Sequence, residues 1–400
     1  MSKGNVLLTG GSGFIASHIL DVLLQSSYHV VVTVRSVEKG QAVVTSLPVE
    51  FQPFVLFSIV DDVACQGAFD HVLQQSVAEG RPFDYAIHTA SPYQASVQDP
   101  VRDFLDPAIR GTTGLLKSIH KLAQTSPPTI KRVVLLSSSA AMLNPAKHAA
   151  VYDESFWRPV TWAEAQLPQN AYEASKVYAE RAAWAFVNGS DDLETASETF
   201  NLPQGNAGRV TSFDLAVVNC TYTFGPVQRW LTRLDQVNSS NHRIRDLLMG
   251  TWKKPVDGNA ERTGMPPTRP VFTWVDVRDV ARAIFKAMEI SGAGGRRFYV
   301  VGGHFSNGRI AGIVRNTLEA ELEKKKTDLA ETQKLLVADR VPPAEDTPDD
   351  LPRDVYNFDR RRATEVLSIG SYYSLEESVL DTALSLLDIE SAATSRRGGA

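Results

Sequence analysis

Thr9-Gly10-Gly11-Ser12-Gly13-Phe14-Ile15-Ala16 decides how this chain folds. The octet follows a short apolar run, Val6-Leu7-Leu8, and opens Phe14–Gln25, where apolar residues recur at helical spacing. A strand, a tight glycine turn and a helix in direct succession form the arrangement that receives a dinucleotide pyrophosphate. Gly10 permits the turn, and Gly13 lets the backbone come close to the anion. The helix start, at Ser12, Phe14 and Ile15, offers N–H groups that no carbonyl of the helix uses. Ala16 stands where a third glycine often lies and is small enough for close helix–strand packing.

The rhythm continues outward from this loop. Val30–Val34, Val55–Ile59, Tyr85–Thr89 and Val133–Ser137 read as strands, with helical patterns at Gly67–Glu79 and Asp106–Ala123 between them. Such alternation predicts an α/β fold, a Rossmann-type doubly wound parallel sheet with helices on both faces. Tyr172–Val187 is a further helix and Phe213–Asn219 a further strand. Residues 1–220 are therefore expected to form the dinucleotide-binding domain, with the polar stretch 188–208 as a surface insertion. Residues 221–391 read as mainly a smaller substrate-binding lobe with some segments returning to the first domain. Within them Pro255–Pro270 and the acidic Pro342–Pro352 read as loops, and Glu319–Lys326 as part of a helix running to about Val337. Residues 392–400 are expected to be a disordered tail.

Bulk properties exclude several classes. Among 400 residues, 41 Lys+Arg against 46 Asp+Glu give a net charge of −5. Nothing in that balance calls for nucleic acid or an anionic membrane. Two cysteines, Cys65 and Cys220, read as free thiols in a reducing compartment. The apolar run after Met1-Ser2-Lys3-Gly4 is too short for a signal peptide core, and no run of about 18 apolar residues appears. A cytoplasmic address is expected, so the glycosylation-like triplets at Asn188, Asn219 and Asn238 read as chance matches. No metal site is expected, and oligomeric state is not legible.

The second strand ends at Val34-Arg35-Ser36. A site built for NAD commonly places an acid there, on the ribose 2′-hydroxyl. Arg35 instead offers a planar cationic fork suited to a 2′-phosphate, unless it is a plain surface arginine, and Lys39 adds a second cation. NADPH/NADP+ is therefore the cofactor expected. Asp62-Val63, after the third strand, reads equally as an adenine contact or an ordinary loop.

Tyr172-Glu173-Ala174-Ser175-Lys176 sets a phenol and an ammonium four residues apart, on one helix face. Free tyrosine ionises near pH 10. A neighbouring ammonium stabilises phenolate and draws the phenol toward the range of a general acid. Ser137-Ser138-Ser139 exits the strand begun at Val133, at the sheet end where open α/β folds hold ligands. Without the tyrosine, three serines would read as a polar strand exit.

With these residues in place, the chain resembles the extended short-chain dehydrogenase/reductases. It is most similar to the NADPH-dependent aldehyde/methylglyoxal reductases and the dihydroflavonol reductases. The likeness runs through Thr9–His18, Val34–Lys39, Asp62–Asp70, His88–Pro92, Val133–Ala141, Asn170–Phe186, Asn219–Pro226, Phe272–Ala281 and Tyr356–Leu387. It implies a catalytic triad of Ser138, Tyr172 and Lys176, with Ser139 the runner-up for the serine. It further implies that Thr89, Ala90 and Ser91 lie along the nicotinamide half of the cofactor. Thr221, within a segment touching the carboxamide, and Ser240, toward a phosphate, complete the expected contacts. One departure stands out: Cys220 replaces a proline usual in that family. Insertions around 191–208, 253–270 and 318–352 lengthen the chain.

The function so implied is NADPH-dependent reduction of an aldehyde or ketone. Its rivals are a nucleotide-sugar epimerase or dehydratase of the same fold and an NADP-sensing regulator without chemistry. The small-molecule carbonyl partner is not named by the sequence. Trp230, Trp252, Phe272 and Trp274 read equally as pocket walls or as core.

Overall fold

The computed structural model describes residues 2–91, 98–189, 211–254, 263–325 and 327–398. The expected insertion at 191–208 lies outside the described residues, as do positions 255–262 of the 253–270 tract. Two compact units are formed. One comprises Met1–Cys220, Val280–Val300 and Asn357–Gly370; the other comprises Thr221–Asp279, Val301–Tyr356 and Ser371–Ala400.

The first unit is built on seven strands: β1 (Asn5–Thr9), β2 (His29–Val34), β3 (Val55–Ile59), β4 (Tyr85–His88), β5 (Arg132–Ser138), β6 (Asp214–Cys220) and β7 (Arg296–Val300). They pair in parallel in the order β7-β6-β5-β4-β1-β2-β3. Strands buried on both faces need near-continuous apolar runs, and Val6, Leu7 and Leu8 have no exposed surface. Between strands run α1 (Phe14–Gln25), α2 (Val37–Thr45), α3 (Asp70–Ala78), α4 (Asp106–Thr125) and α5 (Ala171–Val187). The chain leaves β1 on one side for β2 and β3 and on the other for β4 onward. The order therefore reverses between β1 and β4, which is where doubly wound sheets bind ligands. This is the Rossmann-type sheet that the alternation predicts.

One helix escapes the sequence pattern. α2 carries Gly40 in its interior, a poor helix former, yet Ser36 caps it by accepting from the Lys39 N–H at 3.4 Å.

In the second unit, Thr273–Asp276 is the middle strand of three, parallel to Tyr222–Phe224 and antiparallel to Gly303–His304. Trp252 and Trp274 are each only 2% exposed and belong to its apolar core, with Phe224, Phe305 and Leu318. Those two aromatics are core and not pocket wall. Two expectations are corrected here. The long helix expected to reach Val337 is two, Asn307–Lys325 and Asp328–Arg340. The Thr327 hydroxyl accepts from the Ala330 N–H at 3.1 Å and starts the second. The stretch expected to be a disordered tail is helical as far as Gly398, because Ala392 and Ala393 favour helix and no proline interrupts.

The acidic loop 342–352 is tied down by its own carboxylates. Asp349 accepts from Ser306 at 2.6 Å and Arg309 at 2.9 Å, and Asp350 accepts from the Thr268 N–H at 2.6 Å. No described helix is long and apolar enough to cross a membrane.

Candidate active site

Gly10 turns the chain out of β1 with φ +69°, and a Cβ there would fall 2.9 Å from the Ala90 backbone. The turn is pinned from two neighbouring strands. Gly10 N–H donates to Thr33 Oγ1 at 3.3 Å, and Gly11 N–H donates to the Thr33 carbonyl at 2.9 Å. On the β4 side, Thr89 Oγ1 donates to the Thr9 carbonyl at 2.6 Å. Thr9 Oγ1 accepts from the Thr89 and Ala90 N–H groups, both at 3.2 Å. That leaves the Thr9 proton for His88 Nδ1, 2.8 Å away. Burial pushes the His88 imidazole down to about 3, with the Lys176 charge adding to the effect, so the ring is neutral.

Gly13 differs from Gly10. A Cβ at Gly13 would meet only the Gly10 carbonyl oxygen, at 3.2 Å. The protein's own packing therefore presses less on Gly13 than on Gly10. α1 begins with no side-chain cap and no acid in its first turn, so its N–H groups remain for an anion. Arg35 and Lys39 are exposed beyond β2, and Arg35 makes no ion pair among the described residues. These features fit a dinucleotide carrying a 2′-phosphate.

Asp62 is exposed and serves its own turn, accepting from the Ala64 N–H at 2.8 Å and from Cys65 Sγ at 3.3 Å. Val63 is half-buried against Gly111.

The phenol and the ammonium stand on α5, one turn apart. Tyr172 is 38% exposed, and Lys176 Nζ lies 5.6 Å from its ring centroid. The ammonium donates to Ser91 Oγ at 2.7 Å, which joins the helix to the end of β4. Burial pushes the Lys176 ammonium down to about 8, with the Cys220 thiol opposing.

The three serines part company at the end of β5. Ser137 Oγ is buried and donates to Glu180 Oε2 at 2.6 Å. Ser139 is 4% exposed, in the core. Ser138 alone is half-buried, its hydroxyl accepting from the Ala140 N–H at 3.1 Å.

Cys220 lies beside Ser138 in the sheet register and Val300 beyond it, so β6 continues through a position where proline would lack a ladder N–H. Asn219 has no exposed surface, in keeping with its triplet being a chance match. Thr221 and Ser240 fall in the second unit. Thr221 Oγ1 donates to the Thr273 carbonyl at 2.7 Å, and Ser240 Oγ to the Thr223 carbonyl at 2.6 Å.

Sequence reasoning passed over Thr9, Thr33 and His88, which hold the glycine loop, and Glu180, Asn219 and Arg297 beneath the serines. Glu180 alone left a trace, standing eight residues after Tyr172 on the same helical stripe.

A parallel sheet with its glycine turn at the point of reversal, and a Tyr–Lys pair tied through Ser91 to the end of β4, define a dinucleotide-binding oxidoreductase fold. The chain belongs to the NAD dependent epimerase/dehydratase family, the extended short-chain dehydrogenase/reductases; the family profile matches residues 6–302. Ketoreductase azaE of Aspergillus niger is 44% identical over 383 residues, 96% of this chain and 97% of that protein. NADPH-dependent methylglyoxal reductase GRE2 of Saccharomyces cerevisiae is 31% identical, over 89% of this chain and 99% of that one. The crystal structure of Gre2 from Candida albicans in complex with NADPH superposes with a TM-score of 0.75 at 28% identity, covering 96% and 99% of the two chains.

Proposed function

We propose that this protein uses NADPH to reduce an aldehyde or ketone to an alcohol, with Tyr172 as the proton donor. The observation that carries this reading is the Lys176 ammonium, desolvated, bonded to Ser91 Oγ at 2.7 Å and 5.6 Å from the Tyr172 ring centroid. A cation so placed favours phenolate and brings the phenol's proton within range of transfer near neutrality. Ser138, the serine of the three left half-exposed, orients the carbonyl oxygen. Gly10, Ser12, Gly13, Phe14 and Ile15 cradle the pyrophosphate, and Arg35 with Lys39 takes the 2′-phosphate. Asp62 and Val63 border the adenine, and Thr89 to Ser91 flank the nicotinamide. NADPH supplies the hydride. The names of the ketoreductase and methylglyoxal reductase relatives support the same chemistry.

The direct test is purified protein with a panel of aldehydes and ketones, following loss of NADPH absorbance and formation of alcohol one for one. An epimerase of this fold would instead isomerise a nucleotide sugar without net loss of NADPH, and that outcome would overturn the reading.

Arg35→Ala is expected to weaken NADPH binding roughly tenfold to 150-fold while leaving NADH near wild type. The estimate is the loss of charge-assisted hydrogen bonds worth about 1.5–3 kcal/mol. Fluorescence titration of both dinucleotides measures it, and equal losses would refute the 2′-phosphate role.

A pH dependence follows from Lys176. Its folded-state value of about 8 lies below the ordinary 10.5. Between those values the unfolded chain holds a proton the folded chain has released, so this group alone makes folding more favourable as pH rises through that window. Catalysis moves the other way: kcat/KM is expected to fall above about pH 8 as the ammonium that tunes Tyr172 is lost. Lys176→Arg, which stays charged, is expected to keep its lower activity flat across the same range.

A further inference from the structure

The most deeply buried ion pair described for the first unit lies on the helix that carries Tyr172. Glu180 and Arg297 are each 1% exposed, with Arg297 Nε donating to Glu180 Oε1 at 2.6 Å. Tyr172, Lys176 and Glu180 fall at i, i+4 and i+8 of α5, on one stripe. The carboxylate gathers donors from three strands. Besides Arg297 on β7, it accepts from Ser137 Oγ on β5 at 2.6 Å and from Asn219 Nδ2 on β6 at 2.8 Å. The Trp184 indole adds a fourth donor at 3.4 Å. Asn219 Nδ2 also donates to the Ser138 carbonyl at 3.3 Å. The guanidinium is locked in turn: Nη1 donates to the carbonyls of Glu154 at 2.8 Å and Phe156 at 2.7 Å, over the Trp157 ring at 3.9 Å.

We infer that Glu180 is a positioning residue, setting the helix that bears Tyr172 and Lys176 against the strand end that bears Ser138. A buried ion pair is a weak source of net stability, since an apolar pair of similar volume often serves as well. What the carboxylate does that an apolar residue cannot is fix direction. The three strand donors on its two oxygens hold the stripe of α5 at one height and one rotation over β5, β6 and β7. A shift of about 1 Å at the reacting groups is enough to cost on the order of 100-fold in rate. The inference rests on the reductase reading for its kinetic readout but not for its structural one.

Glu180→Gln is nearly isosteric, yet its amide turns a donor toward Asn219. It is expected to lower kcat at least tenfold per NADPH-binding site, leaving the NADPH Kd and the carbonyl KM within twofold of wild type. The Tyr172 phenol, less well served by a displaced ammonium, should also ionise nearer the ordinary tyrosine value of about 10. Ser137→Ala, which keeps the ion pair and the fold, is expected to lower kcat threefold or more.

Asp214→Asn is the control. It breaks the Arg132–Asp214 pair at the opposite end of β5 and β6, and is expected to lower the melting temperature without lowering kcat of the folded fraction. Unchanged kcat in Glu180→Gln and Ser137→Ala, or an equal fall in Asp214→Asn, would overturn the proposal.

A readout free of turnover separates the two readings: titration of Tyr172 by carbon NMR of ring-labelled tyrosine, assigned with Tyr172→Phe. If wild type reduces no carbonyl, the reductase reading falls. An unshifted Tyr172 titration in Glu180→Gln would still sink the positioning role, and an upward shift would uphold it.

Discussion

Tyr172→Phe is expected to reduce turnover by roughly 100-fold to 10,000-fold, the usual contribution of a positioned general acid. NADPH affinity should stay within about twofold of wild type. The substitution removes one oxygen from a side chain that is 38% exposed, so the melting temperature should change little. On the proposed reading the phenol supplies the proton, while Lys176, 5.6 Å from the ring centroid, keeps its bond to Ser91 Oγ. Steady-state kinetics beside fluorescence titration of NADPH measure the two effects separately. Retained turnover would remove Tyr172 as the donor. A parallel loss of NADPH affinity would mean that the ring serves binding and not proton transfer.

Gly10→Ala is expected to damage both the fold and the cofactor site. At φ +69° an alanine sits in the left-handed region, at a cost of about 1–2 kcal/mol. Its Cβ would also lie 2.9 Å from the backbone of Ala90, where no side chain can swing aside. Overpacking of that kind costs about 1–3 kcal/mol more. The two together predict destabilisation of roughly 2–5 kcal/mol in denaturant titration. Relief of the overlap would part β1 from β4 at the sheet's point of reversal, so NADPH affinity should fall with stability. Gly13→Ala meets only the Gly10 carbonyl oxygen. It should therefore lower the melting temperature less than Gly10→Ala while still weakening NADPH. A Gly10→Ala protein as stable as wild type would show that the turn has room the geometry denies.

The contrast between those two glycines shows how far local sequence reaches. Placed between a strand and a helix, both announce a dinucleotide turn, because the signal depends only on neighbours in the chain. Which one the protein's own packing requires depends on Ala90, 80 positions away by number and adjacent in space. Short-range chemistry also explains the slips. Gly40 hid α2, although Ser36 caps it. The lysine-rich run before Thr327 masked a helix break that one hydroxyl makes. Helix-favouring alanines carry the last helix to Gly398 where composition pointed to disorder.

The sequence by itself determined the doubly wound sheet, the glycine turn and the shared helix face of Tyr172 and Lys176, because strand alternation, left-handed φ and the i, i+4 spacing are properties of adjacent residues. Only the tertiary structure decided that Lys176 meets Ser91, that Ser137 and Ser139 are buried while Ser138 is half-exposed, and that Glu180 meets Arg297 across 117 positions. These depend on which strands lie side by side and on how far each group is removed from water. Neither is written in the residues of one segment; both arise when the sheet closes around its core.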